Sequence, residues 1–309
     1  VSATSHWPNY LPEYVAREHG YFADEGLDFD RSAPEDWTTV LSDLHDGTAT
    51  VALGGIWVPA MYYGRGQRYV PFAALNSRNP KVLVMREPVS DFGWTMLEHK
   101  IVLAPGAGGT APYVHTAGLM RKAGVDMATV RWVRDLSGPM MLDLFAGGHG
   151  DALVTDAVNG ALLERAGRAA IVARHDVDGG PMPNSVYYTL PETLEGSDVT
   201  WRFCRALQRA YDWLRGNSAG GLAGLLAKEW PQLDTGLLVE IIDDLRDRGL
   251  WADIRIDRDA YEEWLRIMVE DGLVSTDAGY DLLVDPRPAA AAQQAGVPQS
   301  TARRAEAAN

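Results

Sequence analysis

The residues best suited to chemistry sit together near the start of the chain. His6, Trp7, Asn9 and Tyr10 place an imidazole, an indole, a carboxamide and a phenol in one short stretch. Such a set can stack on a planar ligand and orient it through a few hydrogen bonds. Seven histidines occur, at 6, 19, 45, 99, 115, 149 and 175, and only His6 is expected at a ligand-side loop, as a donor or a base. There is no HExxH, no GxSxG elbow and no Ser-His-Asp order, so zinc hydrolysis and serine acylation have no signature. The single cysteine, Cys204, lies in an apolar helical pattern and reads as a small buried hydrophobe. One cysteine makes neither an intramolecular disulfide nor a cysteine-based metal site. Neither a metal nor a cofactor is expected.

These residues need a scaffold, and the hydrophobic pattern supplies one. Val1 to Ser5 reads as a buried strand, followed by the polar-aromatic loop and a helix stopped at Gly20. Leu27 to Arg31 reads as a second strand, Thr38 to His45 as a helix, Thr50 to Leu53 as a strand, and Pro59 to Tyr63 as a helix. Tyr69 to Leu75 and Val82 to Met85 read as further strands. This βαβ alternation predicts a largely parallel sheet with helices on both faces. Ligands of open α/β sheets bind where loops leave the carboxyl ends of strands. Trp37, Gly55 and Trp57 join the opening loop on that criterion, although core packing is an equal reading for the two indoles.

From Lys100 the order of elements repeats. Asp43-Leu44 and Asp143-Leu144, Gly47 and Gly147, Ala52-Leu53 and Ala152-Leu153, and Pro12 and Pro112 match at one constant spacing. Both glycines are expected at the left-handed position that ends a helix. The repeat partner of the aromatic loop is Gly-rich and opens a helix, which points Gly108, Gly109 and Thr110 at a ligand through backbone N–H groups. Ser137 and Asp156 occupy the next loop positions, as helix caps or as ligand contacts. The pattern predicts two lobes.

Composition narrows the class. The chain has 309 residues, 46% hydrophobic and 23% charged, with a formal net charge of −14. That balance argues against sequence-independent nucleic-acid binding. No apolar run is long enough to span a bilayer. Beyond a strand at Ser185 to Leu190, the pattern predicts helices over 197–215, 222–229, 235–247 and 257–270. Residues 286–309 turn to Pro, Ala, Gln, Arg and Glu and read as a weakly structured tail.

Tyr14 to Asp28, with Ala16, Gly20-Tyr21-Phe22 and Glu25-Gly26-Leu27-Asp28, resembles the opening signature of nitrate/sulfonate/taurine solute-binding proteins. This is the SsuA-like family, which includes thiamine-pyrimidine relatives. Leu83-Val84-Met85, Gly147 to Ala152, and the ending from Gly272-Leu273-Val274 to Leu283-Val284-Asp285 are similar too. The resemblance covers roughly residues 6–285. It implies an α/β type II periplasmic-binding fold, with two lobes, two crossover segments and a C-terminal helical extension. Mapped here, lobe one is 1–86 and 184–285, lobe two is 87–183, and the crossovers fall near Arg86–Val89 and Gly180–Asn184. The pyrimidine-synthase branch carries a cysteine-rich iron-binding stretch and a cofactor-type lysine followed by histidine. Gly54 and Val58 stand at the corresponding positions, so the resemblance does not extend to that activity.

The resemblance implies a solute-binding protein of an ABC importer, which closes two lobes around a small organic ligand and is recognised in its closed form by an ABC permease. The aromatic loop and the lack of an arginine clamp at the cleft loops favour a planar or cyclic ligand. A pyrimidine-like heterocycle or an aromatic sulfonate suits the aromatic loop. A monomer outside the cytoplasm goes with this reading; the start lacks Met, so a preceding segment removed by processing or by truncation is expected, and the compartment is left open. The alternative is an enzyme on the same scaffold, of decarboxylase, desulfinase or dehydratase type, with a cytoplasmic start and His6 as its acid or base.

Overall fold

A computed structural model describes residues 1–106 and 111–296 of the chain. Among the described residues, nine strands form two sheets. They are β1 (Ser2–Ala3), β2 (Ala52–Gly55), β3 (Val70–Ala74), β4 (Lys81–Met85), β5 (Ile101–Leu103), β6 (Arg131–Val133), β7 (Ala152–Asp156), β8 (Ala170–Arg174) and β9 (Ser185–Thr189). One sheet has the order β1-β2-β9-β3 and the other β6-β5-β7-β4-β8.

The internal repeat survives as strand register. In the first sheet Ser2 pairs with Ala52 and Ala3 with Leu53, both parallel. In the second, Val102 pairs with Ala152 and Leu103 with Leu153, also parallel. Each central strand carries an antiparallel neighbour on its other edge, β9 on β2 and β4 on β7. Those two antiparallel strands are where the chain changes lobes. A two-lobed mixed α/β architecture follows directly from the pairing.

That pairing moves the first crossover. Lys81–Met85 was expected in lobe one, and it lies instead between β7 and β8 in the second sheet. The chain therefore crosses between β3 and β4, ahead of the predicted Arg86–Val89. An apolar run of this kind fits the middle of either sheet, so its own sequence does not choose a partner. The return falls between β8 and β9 and includes the predicted Gly180–Asn184. The two crossings are bonded to each other, Met182 N donating to Ser77 O (2.8 Å) and Asn184 N to Asn76 O (3.2 Å).

Three other expectations fail locally. Leu27–Arg31 forms no strand, and this edge makes only a single bridge, Ser2 to Ser32. Phe29 is drawn instead onto the face of Phe22, with ring centroids 4.1 Å apart, and Arg31 turns inward to Glu13. Gly147 has φ −75°, and its neighbour Gly148 takes the left-handed turn at φ 95°. Gly47 does behave as expected, with φ 73°. Residues 287–296 of the expected tail form a helix. Alanine has the highest helix propensity, and Ala289 and Ala292 are small enough to be buried in the core beside Val199–Gly216.

The C-terminal helices Val199–Gly216, Ala223–Glu229, Thr235–Asp247 and Arg258–Glu270 match the helical periodicity. They do not stay on lobe one. Arg258–Glu270 packs on Ala111–Lys122, where Arg121 pairs with Asp271 at 2.7 Å, and Arg165 reaches Glu240 at 3.0 Å. The extension thus straps the two sheets together.

Two imidazoles are buried beside the crossings. His115 accepts or shares a hydrogen bond with Asn79 at 3.0 Å, and the His175 ring lies 5.3 Å from it, centroid to centroid. Burial pushes His115 down to about 4 and His175 well below its usual range, helped there by His115 and Lys81. Both stay neutral in the fold while the unfolded chain protonates near pH 6.5. The unfolded state therefore binds more protons below that pH, and stability is lost as pH falls from 6.5 toward 4. Each imidazole contributes a slope of about 1.4 kcal/mol per pH unit in that window. Denaturant titrations across the window should show this limb, and His115→Gln should make it shallower. A slope unchanged by the substitution would remove His115 from this role.

Candidate ligand-binding cleft

The opening loop is held from beneath by a buried ion pair. The Arg31 guanidinium pairs with Glu13, which is fully buried, and also donates to the Ser5 carbonyl. Tyr187 donates to the other Glu13 oxygen at 3.3 Å. Burial by itself disfavours the Arg31 charge, and the Glu13 carboxylate beside it more than offsets that loss. The loop therefore leaves β1 from a fixed backbone position.

From that position Trp7 reaches the other lobe. Its indole N–H donates to Asp156 Oδ1 at 3.0 Å. Asp156 ends β7 and caps the helix Ala157–Arg165, accepting from Asn159 N at 3.0 Å and from Asn159 Nδ2 at 2.6 Å. One carboxylate thus serves as helix cap and as the anchor that Trp7 grips across the gap between the sheets.

The strand ends beneath hold a polar, aromatic floor. The Tyr10 hydroxyl meets Thr4 Oγ1 at 3.2 Å and Ser185, and burial raises its pKa. Ser185 stands opposite Gly55 in the β2–β9 ladder. The Tyr188 hydroxyl lies against Gly54, is buried, and has no hydrogen-bond partner among the described residues. Burial raises its pKa too. Trp57 begins the helix Trp57–Tyr62 and lays its indole over Gly55. A β-carbon there would stand 2.1 Å from the ring, so only glycine accepts the indole in this place. The buried Trp57 N–H is also unpartnered among the described residues. Two buried donors without partners carry a desolvation cost.

The predicted residues divide. Trp7 meets Asp156, Tyr10 meets Ser185 opposite Gly55, and Trp57 lies over Gly55 while packing on the hydrophobic cluster that also receives Trp37. His6 turns away: its ring bonds Tyr14 (2.5 Å) and the Glu229 carbonyl (3.0 Å) and packs on Trp230, so both nitrogens are engaged. The Asn9 carbonyl accepts from Trp251 at 3.1 Å, which ties that residue to the C-terminal helices. Trp37 packs on the hydrophobic cluster that contains Val40 and Leu41. Ser137 caps Gly138–Ala146 by accepting from Met140 N. Gly108, Gly109 and Thr110 lie outside the described residues. Sequence reading missed Thr4, Ser185 and Tyr188, which sit within or beside strands and carry no loop signature. It also missed Glu13 and Arg31.

Among the described residues, no group of three His, Cys, Asp or Glu side chains is placed to hold a metal ion. No helix among the described residues is long and apolar enough to cross a membrane. Cys204 is buried in Val199–Gly216, and burial pushes its thiol pKa up.

Comparison with known proteins places this arrangement. The binding protein YtlA of Bacillus subtilis (strain 168) is 24% identical over 292 residues, covering 92% of this chain and 86% of its own. The alkanesulfonate-binding protein SsuA of Xanthomonas axonopodis pv. citri, solved bound to MOPS, superposes with a TM-score of 0.70 at 14% identity, over 92% of this chain and 96% of that one. The desulfurization enzyme DSZB, as a cysteine-to-serine variant in complex with biphenyl-2-sulfinic acid, shares the fold with a TM-score of 0.68 at 15% identity, over 96% of this chain and 99% of that one. A two-lobed type II periplasmic-binding fold is common to all these structures and to this chain. The NMT1/THI5-like family model matches residues 7–219, more than half of the chain, and the protein belongs to that family.

Proposed function

We propose that this protein is the solute-binding component of an ABC-type importer. It closes two lobes around a small organic ligand and presents the closed form to a membrane permease. The observation that carries the reading is the Trp7–Asp156 hydrogen bond, which latches the lobes over a floor of buried, unpartnered donors. Family membership and the likeness to a binding protein and to a sulfonate-binding structure support it. The indole of Trp57 and the phenols of Tyr10 and Tyr188 suit a planar or cyclic body. The Trp57 N–H and the Tyr188 hydroxyl suit an acceptor-rich group, as on a pyrimidine or an aromatic sulfonate. The same reading places the protein outside the cytoplasm, as a monomer until it meets the permease.

The desulfurization enzyme supports a second reading, turnover on the same scaffold. Two observations weigh against it here. The only cysteine is buried in the helical core, and both nitrogens of His6 are engaged. Mass spectrometry of the purified protein should recover a bound small molecule. The same compound added back should raise the melting temperature and return unchanged, since a ligand that binds only the folded state stabilises it by mass action. Chemical conversion of that compound would replace the importer reading with the enzymatic one.

A further inference from the structure

We propose that a cavity behind the hinge is a second small-molecule site, which takes an organic monoanion with an apolar body. The cavity holds about 440 Å³, within the range of small-ligand pockets. Ser77 and Arg78 line it from the first crossing, Pro181 and Pro183 from the second, and Ile256 and Tyr280 from the C-terminal extension. None of its lining residues comes from the loops after β1, β2 or β7, so it is separate from the cleft.

Charge selects the ligand. Asp253 pairs with Arg255 and also accepts from Gln293, and Asp281 pairs with Arg258; Asp257, which also lines the cavity, caps Ala260 N and forms no ion pair among the described residues. Arg78 donates once, from Nη1 to the Asp176 carbonyl at 2.7 Å, and forms no ion pair among the described residues. Its guanidinium is therefore a positive charge at the wall with N–H groups to spare, and an anionic group matches it. The two prolines, Ile256 and the Tyr280 ring supply the apolar wall.

An occupant also touches the moving parts. Ser77 accepts from Met182 N (2.8 Å) in the other crossing and donates its own N–H to Leu250 O (2.8 Å) in the extension. A ligand that contacts both crossings differs in its contacts between open and closed lobes, and so couples to ligand affinity in the cleft.

The test titrates phenylacetate into the full chain by calorimetry, with phenylacetamide as the neutral control. Phenylacetate should bind with a Kd of about 1 mM or tighter, and the amide about tenfold more weakly. Arg78→Met should weaken phenylacetate about tenfold, the loss of a charge-assisted contact. Ala252→Phe fills the cavity from an exposed wall position and should abolish binding. Failure of phenylacetate to bind at about 10 mM, far above the expected Kd, would overturn the proposal. So would equal binding of the amide or persistence in Ala252→Phe.

Discussion

Glu13→Gln should lower the unfolding free energy by about 3–5 kcal/mol, the cost of leaving one member of a buried ion pair without its partner. Glu13 is fully buried and the Arg31 side chain is 5% exposed, so water cannot rehydrate the guanidinium that remains. The loss should reach further than stability, because Arg31 also holds the Ser5 carbonyl from which the Trp7 loop departs. Replacing both members, Glu13→Leu with Arg31→Met, should recover much of the loss, since a neutral pair of similar volume leaves no charge buried. Urea denaturation with linear extrapolation measures all three chains. If the single substitution costs under about 1 kcal/mol, within the range of a surface pair, Arg31 is solvated and the loop has another anchor.

Trp7→Ala should weaken the ligand recovered from the protein by about 1–3 kcal/mol, or roughly fivefold to 150-fold in Kd. The substitution removes an aromatic wall and also the bond to Asp156. Trp7→Phe separates the two: it keeps the wall and loses the donor, and should cost less than Trp7→Ala by the share of the aromatic wall. Folding should change less than binding, because Trp7 is half-buried and lies at the gap between lobes. X-ray scattering of the unliganded protein should report a larger radius for both variants, as the latch is gone. Unfolding by Trp7→Ala with affinity unchanged in the surviving fraction would make Trp7 a core residue and end its assignment to the cleft.

Much of the architecture was legible because it rests on short-range pattern. The matched Ala52-Leu53 and Ala152-Leu153 became the central strand of each sheet, with corresponding registers to β1 and β5. Alternation of strand and helix is written in the period of apolar residues, which a single chain displays directly. The C-terminal helices were legible for the same reason. The helix at 287–296 was not, because its apolar residues are alanines, and their burial depends on a groove beside Val199–Gly216 that no local pattern describes.

The site was legible as a place and much less as a set of contacts. Loop chemistry after the first strand singled out Trp7 and Tyr10 from their types alone. It also singled out His6, whose ring folds back onto Tyr14 and Glu229, a partner 223 residues away. Asp156 was an equal candidate for cap or contact from sequence, and the tertiary structure makes it both, because Trp7 arrives from 149 residues away. β4 needed the same kind of information: Lys81–Met85 fits either sheet by hydropathy, and only the competition between β7 and the first sheet for its hydrogen bonds assigns it. Sequence by itself determined most of the segments that become strands and helices, 27–31 and 287–296 excepted, since that depends largely on neighbours within a few residues. Tertiary structure decided which strands pair, where the hinge falls and which lobes Trp7 joins, since those depend on hydrogen bonds and burial between segments far apart in the chain.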